Sequence, residues 1–331
     1  MRRRFSMKKR VLAQTAFLSL VLIFSAVITG AADYPVKPIE LLCPYTAGAS
    51  IDIMARLIAD IAPTYIGQPI AVINKPGAGG SLAAAEVISA KPDGYKLVTL
   101  GQGFFAITTK TQKIPFDPNE LEPIANFMAW RLAMMVRADS PWKSLNDLLS
   151  YGKKNQGQLN WAHSGRGTPP HIIAVDIFKK AGVQATDVPY KGSPEALSAL
   201  LGGHIQAASL PYGTVSDQVK AGKVRPLAFY SEKRYADQPN VPCIVELGFP
   251  DAAKLMTYVA IYVRKDTPGS IKSYLTAASK KIYDDPRFKR LPEIGGEDPQ
   301  FGGPEFVRQT IRNAEEVGVP ILKEIGLYVG K

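Results

Sequence analysis

Three short segments have the make-up of an anion site. They are Tyr45-Thr46-Ala47-Gly48-Ala49-Ser50, Ser164-Gly165-Arg166-Gly167-Thr168 and Lys191-Gly192-Ser193. Each combines small, flexible residues with hydroxyls and runs into an apolar helical pattern. Thr168 precedes Pro169 and Ser193 precedes Pro194, a hydroxyl cap followed by a proline at the first helical position. The free N–H groups at a helix start, together with the helix dipole, favour negative charge in front of them. Any one junction reads equally well as an ordinary capped helix; three in one chain point to a site for carboxylates. Asp52, in the first helical turn after Ser50, is either stabilised by the dipole or turned toward a ligand donor. Arg166 can grip a carboxylate with two N–H prongs or lie in solvent. His171 reads as a packing or supporting residue. Tyr190 and the pair Phe104-Phe105 either line a cleft or pack in the core.

Catalytic patterns are missing. There is no G-x-S-x-G elbow. Gly77-Ala78-Gly79-Gly80-Ser81 lacks the lysine and spacing of a phosphate-binding loop. Gly165-Arg166-Gly167 does not complete G-x-G-x-x-G, because Pro170 stands at the third glycine. Ser164 and His171 leave a Ser–His hydrolase as a weak alternative, with no orienting carboxylate apparent beside them. The three histidines, His163, His171 and His204, are few and scattered, and no C-x-x-C or H-x-x-x-H occurs, so no metal and no cofactor is expected.

The elements that must position these loops alternate. Strand patterns fall at 39–43, 70–73, 95–100, 159–163, 186–190, 205–210, 224–230 and 259–263, with one or two extended segments over 123–136. Helical patterns cover the stretch holding Ile53, Met54, Leu57, Ile58 and Ile61, then 82–90, 145–153, 169–180, 195–201, 271–283 and 304–325. Strand, glycine-rich turn, helix, strand is the signature of right-handed βαβ units on a parallel sheet. Ligands of such sheets bind at the carboxyl ends of the strands. The length beyond the leader exceeds what one core usually holds. Two α/β lobes follow, with the chain crossing near Met128–Val136 and returning near Thr257–Val263. The expected division is a leader over 1–32, a first domain over 33–132, a second over 133–256, and a return over 257–331 to the first domain and C-terminal helices.

Met1 to Arg10 holds six positive charges and no negative one, an apolar run reaches about Val27, and Thr29-Gly30-Ala31-Ala32 supplies small residues before Asp33. That is a secretory signal peptide, cleaved on export to the periplasm. A retained anchor is the alternative; the run is short for a span and carries Gln14, Thr15 and Ser19. The arginines at 2–4 hint weakly at twin-arginine export. Six of the +11 net charges lie in the leader, leaving about +5 with no basic stripe. Nucleic acid is therefore excluded as a partner, and an anionic ligand is favoured. Cys43 and Cys243 either pair in an oxidising compartment or pack as free thiols, the latter fitting the apolar run around Cys43.

Several ordered motifs carry a resemblance. They are Tyr34-Pro35-Val36-Lys37-Pro38-Ile39, Pro44 to Arg56, Asn74-Lys75-Pro76-Gly77-Ala78-Gly79-Gly80, Pro92-Asp93-Gly94-Tyr95, Ser164 to Thr168, Val188-Pro189-Tyr190-Lys191-Gly192, Lys220-Ala221-Gly222-Lys223, Asn240-Val241-Pro242 and Glu246-Leu247-Gly248. Over nearly all of the chain beyond the leader, this resembles the Bug family, the substrate-binding receptors of tripartite tricarboxylate transporters. The resemblance implies a type II periplasmic-binding-protein fold, two α/β lobes joined by crossing strands with a ligand cleft between them. It implies a monomeric receptor for a small organic acid, a di- or tricarboxylate or an aromatic acid, delivered to large and small membrane subunits. Carried onto this chain, Tyr45, Thr46, Ala47, Gly48, Ala49, Ser50 and Asp52 hold one carboxylate. Ser164, Arg166, Gly167, Thr168, Tyr190, Lys191 and Gly192 face them, and Gln102 completes the floor. Two departures stand out. Ala49 replaces a glycine that would give the first loop more freedom. Leu210 stands where many members carry an aspartate, which favours a ligand without an ammonium. Rival readings are the binding protein of an ATP-driven importer and a solute sensor feeding a signalling receptor.

Overall fold

The computed structural model describes residues 34–329, apart from Met256; the expected leader lies outside the described residues. Strands β1 (Ile39–Cys43), β2 (Ile70–Asn74), β3 (Lys96–Gly101) and β4 (Leu121–Trp130) belong to one sheet, β5 (Leu132–Arg137), β6 (Leu159–His163), β7 (Ala185–Pro189), β8 (Ala207–Pro211) and β9 (Val224–Phe229) to a second. Strands β10 (Thr257–Arg264) and β11 (Asp298–Gly302) return to the first. The first sheet runs β11-β4-β10-β3-β1-β2 and the second β7-β6-β8-β5-β9. Arg131 alone separates β4 from β5, so the chain passes from sheet to sheet through one residue.

The expected βαβ grammar holds where a helix intervenes. β1 pairs in parallel with β2 and β3, and β6 with β7 and β8. β10 and β11 run antiparallel to β4, and β5 antiparallel to β8 and β9. Both sheets are therefore mixed, because strands arriving from the other sheet need no crossover helix. Of the one or two extended segments expected over 123–136, the structure has two, on different sheets.

Helix α1 (Ser50–Ile66) follows β1. It buries Met54, Ile58 and Ile61 along one stripe and ends at Gly67, whose φ of 72° lets its N–H turn back to the Pro63 carbonyl. Then come α2 (Ser81–Ser89), a π-helical turn at Phe104–Thr108, α3 (Leu145–Lys154), α4 (Pro169–Lys180), α5 (Ser193–Leu201), α6 (Tyr212–Lys220), α7 (Gly269–Asp284) and α8 (Pro304–Glu324). The proline pattern at α5 is shifted by one from expectation: Gly192 is the cap and Ser193 the first helical residue. Leu42, Val98, Leu100, Phe105, Tyr262 and Val307 belong to one core cluster, and Met135, Leu200, Leu210, Val215 and Phe229 to another. Cys43 and Cys243 are both buried free thiols; burial pushes the Cys43 thiol up to about 12. Among the described residues no helix is long and apolar enough to cross a membrane.

Candidate functional site

The first loop lies between β1 and α1. Gly48 takes φ +81°, a left-handed backbone that only glycine adopts freely, whereas Ala49 is extended at φ −70°. The alanine therefore imposes no backbone strain there. Asp52 is buried and fully engaged: Oδ2 accepts from Gly48 N at 3.0 Å and from Arg56 Nε at 2.9 Å, and Oδ1 from Asn74 Nδ2 at 2.7 Å. Burial works to raise its pKa, but these donors outweigh it and hold the carboxyl below its ordinary value. Asp52 thus staples the loop and has no arm turned to a ligand. Tyr45 is buried with its ring 5.7 Å from that of Trp130. Ala47 and Gly48 are exposed.

The second loop lies between β6 and α4. Thr168 Oγ1 donates to the Gly165 carbonyl at 2.6 Å and makes no bond into its helix. Gly165 N–H donates to His163 Nδ1 at 3.1 Å, and Gly167 N–H to His171 Nδ1 at 3.2 Å. Ser164 is 4 % exposed, yet its Oγ has no hydrogen-bond partner among the described residues. A buried polar atom normally has one, and leaving it unpaired costs about 1–3 kcal/mol. Arg166 turns away from this hydroxyl's loop to Asp187, Nη2 to Oδ1 at 3.0 Å, and is 65 % exposed. Of its two readings, a two-pronged clamp or a solvated loop arginine, the structure has a mostly exposed guanidinium with one contact to an internal carboxylate. Arg166, His171 and Asp187 flank an outer cavity of about 590 Å³ that also borders Trp161 and Phe178.

The loops from the two sheets meet. A Cβ added to Gly192 would stand 2.7 Å from Thr46 Oγ1, so the third loop closes on the first. Thr46 Oγ1 is itself buried without a partner among the described residues. Thr108 Oγ1, at the end of the π-helical turn, donates to the Gly167 carbonyl at 2.7 Å. Gly103 lies so close to Pro169 that any Cβ there would overlap the proline ring. Tyr190 N–H donates to the His163 carbonyl at 3.0 Å and its ring packs on the second core; Lys191 is exposed. Phe104 and Phe105 pack in the first core, ring against ring at 5.1 Å. Gln102 Oε1 accepts from Tyr258 N at 3.3 Å and borders a different cavity, with Glu232, Tyr258 and Phe306. Leu210 packs inside the second core.

Two charged residues at the crossing escaped the sequence. Arg131 is 1 % exposed; its guanidinium is held by Asp237 at 2.9 and 3.0 Å and sits 3.9 Å from the Tyr235 ring centre and 4.7 Å from that of Tyr212. Glu297 is fully buried. Its carboxyl group accepts from Arg131 N at 2.6 Å and from Gly213 N in the first turn of α6 at 3.0 Å, and shares a hydrogen bond with the Ser50 hydroxyl. Burial nonetheless pushes its carboxyl up to about 8. The start of α6 is therefore occupied by an internal acid. Before α1 and α4, Thr46 Oγ1 and Ser164 Oγ stay unpaired among the described residues, and Gly192, the cap of α5, lies close to Thr46.

A family model described as the tripartite tricarboxylate transporter family receptor matches residues 54–327. The chain belongs to this receptor family. A Cupriavidus necator protein, the UPF0065 protein in the gbd 5′ region, is 33 % identical over 332 residues, covering 98 % of each chain. BugT of Bordetella pertussis is 26 % identical over 94 % of this chain and 98 % of its own. Among solved structures, the periplasmic binding protein BugD aligns with a TM-score of 0.82 at 26 % identity, over 89 % of this chain and 99 % of its own. An R. palustris protein solved with adipate aligns at 0.83 and 26 % identity, over 89 % and 99 %. MatC of Rhodopseudomonas palustris, solved with malate, aligns at 0.76 and 26 % identity, over 86 % and 99 %. The chain accordingly has the periplasmic-binding-protein fold, and both family and fold are those of solute-binding receptors rather than enzymes.

Proposed function

We propose that this receptor works in the periplasm as a monomer and captures a small carboxylic acid lacking an ammonium group. It then passes the acid to the large and small membrane subunits of a tripartite transporter. The two sheets are its two lobes, with domain one over 33–132 and 257–331 and domain two over 133–256, and the ligand lies where the first, second and third loops converge. The observation that carries this reading is Ser164 Oγ, buried and without a partner among the described residues at the carboxyl end of β6. On the loop after β1, Thr46 Oγ1 is likewise buried without a partner among the described residues, and it lies against Gly192 of the third loop. Buried hydroxyls left unpaired by the protein are available to serve a ligand's oxygens. Adipate and malate, the acids bound by two relatives of the same fold, are dicarboxylates without an ammonium.

The test is a thermal-shift titration of the chain from Asp33 onward against small carboxylic acids, with amino acids and sugars as controls. A ligand specific to the folded state, at about 100 times its Kd, stabilises it by roughly 2.7 kcal/mol. Selective stabilisation by adipate, malate or a related acid, recovered unchanged, supports the reading. A response confined to sugars, or to aspartate and glutamate, overturns it.

A further inference from the structure

Two imidazoles lie beneath the second loop without a part in the reading above. His163 ends β6, His171 sits in the first turn of α4, and their ring centres are 4.4 Å apart; His171 also stacks on Trp161 at 13°. Both rings use their nitrogens alike. Each Nδ1 accepts a loop N–H, from Gly165 and Gly167 respectively. A nitrogen that accepts carries no proton, so each neutral ring holds its hydrogen on Nε2. Both Nε2 atoms face Asp187 Oδ2, at 3.2 and 3.6 Å. Burial favours the neutral form of both, lowering His163 and, with the neighbouring ring, taking His171 down to about 3.

His163, His171 and Asp187 each offer one ligand atom within 4.8 Å of the others, a spacing that zinc would accept. Metal-bound histidines, however, donate their second ring N–H to a neighbour. Here the second nitrogen accepts in both rings, so a metal on Nε2 would require two imidazolates. The hydrogen-bond pattern therefore argues for a brace. Gly165 and Gly167 both have positive φ, at 129° and 69°, conformations that glycine reaches and leaves easily. Pinning their N–H groups fixes that backbone and withdraws two donors from any ligand, leaving the Ser164 hydroxyl as the loop's unpaired one among the described residues.

We infer that His163, His171 and Asp187 are positioning residues for binding, two neutral imidazoles anchored on one carboxylate that hold the Gly165–Gly167 backbone so that Ser164 meets the ligand. The inference rests on the proposed role of this loop in holding an acid. Its test pairs the imidazole ¹⁵N spectrum of the ligand-free chain with adipate and malate titrations of His171→Phe and His171→Asn. Both buried rings should give the Nε2–H pattern, read against exposed His204. His171→Phe leaves the Gly167 N–H unpaired and should weaken binding about tenfold. His171→Asn restores an acceptor near the Nδ1 position and should stay within about threefold of the wild type. A ring protonated at Nδ1, equal losses for the two variants, or stoichiometric zinc binding overturns the brace. A wild-type chain that binds no acid while keeping the Nε2–H pattern overturns the receptor reading, and with it the ligand role; a wrong tautomer with acid bound overturns the brace alone.

Discussion

The carboxylate of Glu297 lies 2.6 Å from the backbone N–H of Arg131, the residue through which the chain leaves one sheet for the other. The same carboxylate reaches the start of α6, on the second sheet's side, and Ser50, on the first's. A buried acid here ties the crossing strands to both lobes and has a pKa well above its usual 4.5. The folded chain then keeps a proton between pH 4.5 and about 8 that the unfolded chain releases. Stability from this group falls as pH rises through that window and is flat outside it. Glu297→Gln should flatten this part of the melting-temperature profile between pH 5 and 8, measured as wild type minus variant. An unchanged difference across that range refutes the assignment.

Ser164→Ala should move affinity and stability in opposite directions. The variant removes an unpaired buried hydroxyl, so the ligand-free chain should melt no lower than wild type. If the hydroxyl serves the ligand, the Kd for adipate or malate should rise about tenfold. Equal affinities by calorimetry would move the binding position elsewhere.

Gly103→Ala tests the approach of the two lobes. Gly103 has an ordinary helical backbone, φ −61° and ψ −19°, so alanine fits locally. Its methyl would nevertheless overlap Pro169, and such overpacking costs about 1–3 kcal/mol. The lobes can relieve it by parting. The expected result is a larger radius of gyration by X-ray scattering, with affinity reduced about tenfold or more. Wild-type affinity would mean that this contact plays no part in closure.

Asp52→Asn probes the staple of the first loop. The asparagine keeps one oxygen but sets its N–H groups against one of the existing donors, Asn74 on the Oδ1 side or Arg56 and Gly48 on the Oδ2 side. A loss of about 1–3 kcal/mol is expected. Because the folded pKa lies below the usual 3.8, the wild-type advantage is present above that value and disappears as pH falls through the folded pKa. Denaturation followed from pH 7 downward should show the gap between the two proteins narrowing below pH 3.8.

Local chemistry was readable wherever its cause was local. The buried run Ile39–Cys43, the small, flexible loop after it and the proline-marked starts of α4 and, within one residue, α5 follow from a few adjacent residues. Helix α6 was not readable, because its buried side is only Tyr212, Gly213, Val215 and Ser216. The five-residue edge strand at 298–302 is half-buried and carries little periodicity. Arg166 had the right setting for a ligand clamp, but its partner Asp187 stands 21 positions away on another strand. The same distance effect hid Glu297, whose donors at 131 and 213 come from remote parts of the chain. His163 and His171 looked scattered until β7 brought Asp187 against both.

Cys43 sits in β1 of the first sheet, and Cys243 bridges to Phe229 at the end of β9 in the second. Both remain free thiols in the interior, so no covalent cross-link holds the two sheets in place. The chain can mature without oxidants or a disulfide isomerase, and added reductant should leave its architecture untouched. Its fold is therefore indifferent to the redox state of its surroundings. The high pKa of the Cys43 thiol, about 12, also leaves it with little reactive thiolate at neutral pH, which protects it from oxidation.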